Sequence, residues 1–341
     1  MASSLVIEIG SYSIRAALSQ NRKIYFIPLG YSDSTYSCPS IVAISKGDNY
    51  IFGEYARNWV NNSPENFYHI LDIEAGSPLL QKVYSELLRF IIDRVSYCGL
   101  EKPSNCTFVV PTDCTTKKKL EEAAKLQGIN FISFETDAIA ICSKYSLMDD
   151  GETSMVFDLG HSKLSVSIAK RNNNKIQLVS SHNNYDCCGR SFDSLVLQDI
   201  LNTNIGVNQD NSLMINTLAS VASHIKEDLS FKTEVCQSAI MGEYLIDRLR
   251  FNNIIAPLLS KAMQTCKETI DAAKISYGDI KQVFLCGGCS SIPCVEDFVK
   301  KLFIGNGGGK VQITNYAKHL DYQYDACMGA FYTNNSSSLT F

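Results

Sequence analysis

Two short segments with the same layout lie 150 residues apart, and this repeat limits the possible folds more than any other feature of the chain. Each segment reads as an apolar strand ending at an acid, a glycine turn and a second apolar strand. Glu8 and Gly10 of the first segment correspond to Asp158 and Gly160 of the second. Glycine lets the chain double back, and backbone N–H groups at such a turn can face phosphate oxygens. The repeat predicts a duplicated α/β unit with a cleft between its halves.

The residue pattern predicts strands followed by helices in each half. Strands are expected at 4–9, 14–18, 23–28, 41–44, 107–110, 130–134, 175–181, 235–241, 282–285 and 311–314, besides the 154–168 hairpin. Helices are expected at 53–60, 79–95, 117–126, 138–145, 192–201, 213–229, 246–273, 295–303 and 325–332, with Thr115 and Thr116 able to cap the third. We therefore expect a first lobe at 1–150, a second at 151–333 and a disordered polar tail at 334–341.

Composition and net charge argue against some classes of function for this chain. The chain has 341 residues, enough for two domain-sized units, and its 45% hydrophobic and 19% charged residues are ordinary for a globular protein. A net charge of −4 argues against a partner that is nucleic acid. No apolar run reaches the roughly 18–20 residues of a membrane span. The start of the sequence lacks a basic leader segment, so we read the 13 cysteines as reduced thiols of a cytoplasmic protein.

Three further sites carry side chains or backbone suited to chemistry. Gly287 and Gly288 lie between a strand and a helix, where N–H groups and the helix dipole favour an anion. The C-x-x-C spacing of Cys286 and Cys289 also fits a redox or metal site, although packing is the stronger interpretation. Glu135, between a strand and a helix, either faces the cleft beside Asp158 or assists the helix N-terminus.

The motifs that carry a resemblance lie at Val109–Pro111, Phe134–Ala138, Asp158–Gly160 and Phe284–Pro293. Their order resembles the ATPase domain of DnaK-type (seventy-kilodalton heat-shock) chaperones, in the actin, sugar-kinase and chaperone superfamily, and the resemblance runs from Leu5 to Tyr332. It implies a two-lobed actin-like ATPase fold of duplicated ribonuclease-H-like units. It also implies ATP or ADP with magnesium as the cofactors.

The same resemblance implies the site residues. Nucleotide contacts are expected from Gly10, Ser11, Tyr12, Gly160, His161, Gly189, Lys226, Ser230, Gly287, Gly288 and Ser291. Glu8, Glu135 and Asp158 are the catalytic candidates. Glu8 and Asp158 are also expected to hold magnesium through water. His161 could act as an acid or base, but we favour a substituted glycine position.

The departures from the family pattern point away from hydrolysis. Bulky Tyr12 stands where the family has a small hydroxyl, and in the second loop two glycines, a threonine and the second aspartate (here Ser165) are lost. The catalytic lysine falls at Asp72, whose charge would repel a γ-phosphate. The adenine-stacking arginine becomes Ser291, and the ribose-binding glutamate becomes Ser223. Most of one peripheral subdomain is missing between Ile73 and Leu79.

We therefore expect a non-hydrolysing or weakly hydrolysing pseudo-ATPase, a scaffold or co-chaperone whose partners are a J-domain protein or a ribosome-associated complex. The sequence ends where the family continues into a peptide-binding domain, so no client-peptide clamp is expected. One alternative is an active magnesium-dependent ATPase component of a chaperone, with Ser11 replacing a threonine. The other alternative is an actin-like structural or polymer subunit.

Overall fold

The computed structural model describes residues 3–57, 59, 63–145, 149–173, 175–203, 211–239, 242–318 and 324–334. The chain divides into two compact units. The first consists of Met1–Leu147 with Gln323–Phe341, and the second of Met148–Tyr322. The sequence-based division at 150 placed everything up to residue 333 in the second lobe, so it differs from the structure in the C-terminal helix. The expected disordered tail falls outside the described residues, apart from its first residue, which is the last residue of a helix.

The first unit opens with strands and continues with helices between later strands. Its strands are β1 (Ser4–Ile9), β2 (Ser13–Gln20), β3 (Lys23–Phe26), β4 (Ser37–Pro39), β5 (Ile41–Ser45), β6 (Asn49–Phe52), β7 (Phe67–His69), β8 (Asn105–Val110) and β9 (Phe131–Thr136). Its first four helices are α1 (Glu54–Arg57), α2 (Pro78–Tyr97), α3 (Lys117–Leu126) and α4 (Asp137–Lys144).

The second unit has the same alternation. Its strands are β10 (Thr153–Leu159), β11 (Leu164–Asn172), β12 (Lys175–Asn184), β13 (Glu234–Ala239), β14 (Gly242–Asp247), β15 (Ile280–Cys286) and β16 (Gln312–Asn315). Its helices are α5 (Gly189–Thr203), α6 (Ser212–Phe231), α7 (Arg248–Ala273) and α8 (Pro293–Gly305). The chain then returns to the first unit with α9 (Asp325–Asn334).

The main sheets of the two units have the same strand order and directions. The order is β3-β2-β1-β8-β9 in the first unit, where β4 also pairs with β2, and β12-β11-β10-β15-β16 in the second. In each unit a three-stranded antiparallel meander is followed by two parallel strands. The short strands β5, β6 and β7 form a separate sheet, and β13 pairs with β14. The duplication expected from the sequence repeat is therefore confirmed.

Helices cover both faces of the first unit's sheet because its central strand alternates its side chains between two cores. Leu5, Ile7 and Ile9 of β1 belong to the core that includes residues of α2 and α3. Val6 belongs instead to a smaller core with Ala140 of α4 and Phe331 of α9. The C-terminal helix thus fills part of the first unit's interior.

The peripheral part of the first unit is short, as the sequence indicated. Residues 73–77 alone separate the 3₁₀ turn Ile70–Asp72 from α2. In the described ranges no helix combines the length and apolar character needed to span a bilayer.

Three local expectations were wrong. Residues 246–247 belong to strand β14, and α7 begins only at Arg248, where the Asp247 side chain accepts a hydrogen bond from the Arg250 N–H at 2.7 Å. Helix α5 begins at Gly189, three residues before its expected start. Thr116 takes the N-cap position of α3 without a side-chain cap, because its hydroxyl is hydrogen-bonded to that of Tyr84 at 3.1 Å.

Candidate functional site: two acid-and-glycine hairpins

The two hairpins turn in the same way. The Gly10 N–H donates to the Ser13 carbonyl at 3.0 Å, and the Gly160 N–H donates to the Lys163 carbonyl at 3.0 Å. A Cβ at Gly10 would lie 2.9 Å from the Ser13 oxygen, tighter than real Cβ contacts allow. At Gly160 the corresponding distance is 3.3 Å. The backbone geometry of both predicted phosphate turns is therefore present, and the first requires glycine.

The side chains on these turns are the ones that depart from the family pattern. Tyr12 is 50% exposed, and its carbonyl accepts the Ser40 N–H at 3.0 Å. Ser11 and His161 are half-buried. The bulky phenol of Tyr12 therefore projects from the turn where the resemblance implies a small hydroxyl.

The acid that ends β1 is ion-paired across the hairpin. Glu8 and Arg15 are register partners on β1 and β2, and Arg15 Nη1 lies 3.1 Å from Glu8 Oε1. The side chains are only 21% and 16% exposed, respectively. Burial raises the pKa of the Glu8 carboxyl; Arg15 opposes this shift, and Asp325 adds to it. The carboxylate expected to hold a hydrated magnesium ion already has a cationic partner.

A second ion pair lies in the same unit. Lys144, the last residue of α4, pairs with Asp325, the first residue of α9, and Asp325 is 4% exposed. The thiol of Cys327, two residues after Asp325 on α9, lies 4.0 Å from Glu8 Oε2. Sequence reasoning missed Arg15, Lys144 and Asp325. The signal for Arg15 was present, because an arginine inside an otherwise apolar strand, opposite an acid, indicates a buried pair.

Glu135 is partly buried, whereas Asp72 is exposed. Glu135 is the penultimate residue of β9, and its carboxylate accepts its neighbour's N–H, that of Thr136, at 2.8 Å. Burial raises the pKa of Glu135, against smaller opposing effects of Thr136, Thr333 and Lys117. The Thr136 side chain, not Glu135, caps α4. Asp72 is exposed at the end of its 3₁₀ turn, so the position of the expected lysine carries an acid.

In the second unit, the loop after β15 packs against the end of β10. Gly287 has φ +77°, and a Cβ there would overlap the Asp158 carboxylate and lie 2.5 Å from the Leu159 carbonyl. Only glycine therefore fits at this position. Gly288 follows at the start of a 3₁₀ turn and has open space beside its Cα; the Ser291 hydroxyl donates to its carbonyl at 2.6 Å.

The second hairpin is tied to the start of α5. The Gly189 N–H donates to the Gly160 carbonyl at 2.9 Å, and the Arg190 N–H donates to the His161 carbonyl at 2.8 Å. A Cβ at Gly189 would lie 2.8 Å from the Cys289 sulfur. The structure thus brings Gly160, His161 and Gly189 together with the loop that follows β15.

Lys226 is a buried member of an ion pair. Its side chain projects from α6, the residue is 6% exposed, and its Nζ lies 2.7 Å from Asp193 Oδ1 and 3.4 Å from the Gly189 carbonyl oxygen. Burial lowers the pKa of Lys226, but Cys289 and Asp193 outweigh it and the pKa is raised. Ser230 lies one turn further along α6 and donates to the Lys226 carbonyl at 3.4 Å. Sequence reasoning missed Asp193, whose carboxylate forms an ion pair with Lys226, the lysine that was predicted to contact nucleotide.

Nine of the thirteen cysteines are buried. All thirteen carry free thiols, and Cys187, Cys266 and Cys289 belong to the core of the second unit. Burial raises the pKa of Cys289 to about 11, although Lys226 lowers it. The second thiol of the C-x-x-C motif is therefore protonated at neutral pH, which favours the packing interpretation.

The side chains of the first unit do not fit magnesium. Mg²⁺ is bound through one or two carboxylates together with substrate phosphates. Here the Glu8 carboxylate is paired with Arg15, and that of Asp325 with Lys144. Within the part of the chain that the structure describes, no cluster of three or more His, Cys, Asp or Glu side chains could hold a metal ion.

Two α/β units with the same strand order, each containing an acid-and-glycine hairpin, define the actin-like ATPase class of proteins. A sequence profile of the family described as Hsp70 protein matches residues 80–311, and the chain belongs to that family. The chaperone protein DnaK of Picrophilus torridus is 23% identical over 335 residues, which cover 89% of this chain and 54% of the relative. The chain thus spans about half the length of that relative and is a divergent form of the family's chaperone-type ATPase domain.

Proposed function

We propose that this chain is a nucleotide-binding scaffold or co-chaperone that hydrolyses ATP slowly or not at all. The observation that carries the proposal is the Glu8–Arg15 ion pair, 3.1 Å between Nη1 and Oε1. The acid at the end of β1 is engaged by a neighbouring strand, while the glycine turns of both hairpins keep the backbone geometry suited to phosphate. These two features support binding of nucleotide without its hydrolysis.

Hydrolysis of ATP depends on positioned cations and charge clamps, and the fold alone does not supply them. The exposed acid Asp72 stands where the resemblance implies a catalytic lysine, and Ser165 stands where it implies a second aspartate. Asp158 is the one acid of the second hairpin that remains. These substitutions support binding without turnover.

A single-turnover assay with excess protein and magnesium ATP tests this proposal. We expect wild type to form product slowly or no faster than protein-free buffer does, and at the same rate as Asp158→Ala. Asp93→Ala, at an exposed site on α2, is the matched control for loss of one carboxylate. Turnover by wild type and the control that disappears in Asp158→Ala would establish an active ATPase and overturn the proposal.

We further propose a cytoplasmic role with a J-domain protein or a ribosome-associated complex as the partner. The family membership and the similarity to a chaperone protein DnaK support it. Sedimentation of cell extract through sucrose tests it. The chain is expected in the ribosome fractions at low salt, and its presence only at the top of every gradient would contradict ribosome association.

A further inference from the structure

We propose that this chain binds its nucleotide without a divalent cation, because Arg15 and Lys144 permanently supply the positive charge beside the acids of the first unit. The inference rests on the proposed nucleotide-binding function. It goes beyond slow hydrolysis, because it concerns whether a divalent ion accompanies the bound nucleotide.

The Glu8–Arg15 pair is fixed by the fold. Strand register places the two residues directly opposite each other, and the turn at Gly10 sets that register. Both side chains are more than three-quarters buried, so water screens their interaction weakly. A guanidinium cannot be deprotonated in a protein, so the positive charge is permanent. A hydrated cation that approached Glu8 would have to displace it.

The Asp325–Lys144 pair neutralises the second acid of this region. Asp325 is 4% exposed, and its carboxylate influences that of Glu8 electrostatically. The Cys327 thiol, two residues further along α9, lies 4.0 Å from Glu8 Oε2. The four charged side chains come from β1, β2, α4 and α9, and their formal charges sum to zero. No net negative charge remains there to attract a divalent ion.

The second hairpin gives an internal comparison. Its register places Ser165 opposite Asp158, in the position that Arg15 occupies opposite Glu8. Ser165 is 5% exposed, so a serine is accommodated at this point of the fold. The substitution Arg15→Ser therefore copies a residue from the protein's own repeat, removes the guanidinium and leaves the Glu8 carboxylate in place.

The experiment is calorimetric titration of ATP and ADP into the full chain, with magnesium chloride and with EDTA. For wild type we expect dissociation constants within about twofold of each other in the two buffers. For Arg15→Ser we expect binding about tenfold weaker in EDTA, since the uncompensated carboxylate repels phosphate, and recovery with magnesium. Arg15→Lys keeps the charge and should behave as wild type does. Arg89→Ser, which removes an exposed guanidinium paired with Glu86 on α2, is the control.

The outcomes distinguish failure of this inference from failure of the proposed nucleotide-binding function. Wild-type affinity that falls about tenfold or more in EDTA overturns this inference and leaves the nucleotide-binding scaffold standing, even if Arg15→Ser fails to fold. No heat with either nucleotide overturns the proposed function instead. Thermal unfolding in magnesium chloride without nucleotide then tests only the charge compensation around Glu8: a wild-type midpoint raised by magnesium refutes that compensation, and an unchanged midpoint supports it.

Discussion

The close approach of α9 to α4 allows a sharp test of how the C-terminal helix is held. Gly329 of α9 packs directly on the α4 backbone at Ala140. A Cβ at position 329 would overlap the Ala140 carbonyl oxygen and carbon and would lie 3.0 Å from its Cα. Real Cβ atoms essentially never come closer than 3.0 Å to another heavy atom, so Gly329→Ala forces the helices apart.

The magnitude follows from two opposing effects. Alanine is favoured over glycine inside a helix by about 1 kcal/mol. Overpacking a core costs about 1–3 kcal/mol, and the upper end applies here because the obstacle is backbone and not a flexible side chain. The net expectation is a loss of about 2 kcal/mol of unfolding free energy. For a unit of this size that lowers the unfolding midpoint by about 4–8 °C.

Scanning calorimetry and urea denaturation measure the loss. Gly305→Ala is the matched control, because Gly305 is also helical and a Cβ there would meet nothing within 4 Å. The control should be neutral or stabilised by up to about 1 kcal/mol, through lower entropy of the unfolded chain. If Gly329→Ala is as stable as the control, the packing of α9 on α4 described above is wrong.

Three further outcomes are expected. Gly287→Ala should lower the free energy of unfolding by about 1–3 kcal/mol, because φ is +77° and a Cβ would overlap Asp158. The urea midpoint should fall accordingly, and an unchanged midpoint would refute this. Lys226→Met leaves Asp193 buried without its cation and should cost about 3–5 kcal/mol by circular dichroism melting, whereas adding Asp193→Leu should recover much of the loss. Burial raises the pKa of Glu296, but hydrogen bonds from two lysines and an asparagine outweigh it and hold the pKa at about 2, against an ordinary 4.5. The stabilisation from this carboxylate is therefore complete above pH 4.5 and lost as the pH falls toward 2; melting from pH 6 to pH 2 should show a flatter acid limb for Glu296→Gln, and equal limbs would contradict the assignment.

The repeat was the part of the fold that the sequence could reveal. The pairs Glu8/Asp158 and Gly10/Gly160 recur with one spacing, and the structure keeps that spacing in strand register, from Ile9 opposite Ile14 to Leu159 opposite Leu164. Such hairpins are local, so short-range patterns are enough to predict them.

Contacts between distant parts of the chain could not be predicted from such short-range patterns. The sequence predicted a helix at 325–332, but a local pattern cannot say which sheet that helix covers, and α9 packs on strands made more than two hundred residues earlier. The partner of Lys226, Asp193, lies on another helix, so no local sequence pattern connects the two residues. Strand β14 was missed although Tyr244 and Ile246 are buried at alternate positions, because the periodicity of the following helix masked so short a signal.

The return of the chain to its first unit has a consequence for biosynthesis. The first unit's continuous part ends at Leu147, yet the partner of Lys144 is Asp325, about 180 residues later. At about 5–20 residues per second a ribosome needs roughly 10–35 s to translate that interval. During this time a nascent chain carries an incomplete first unit, in which one face of the sheet is covered only in part and Lys144 lacks the Asp325 carboxylate. The charge balance around Glu8 is completed only when α9, which carries Asp325, has been synthesised.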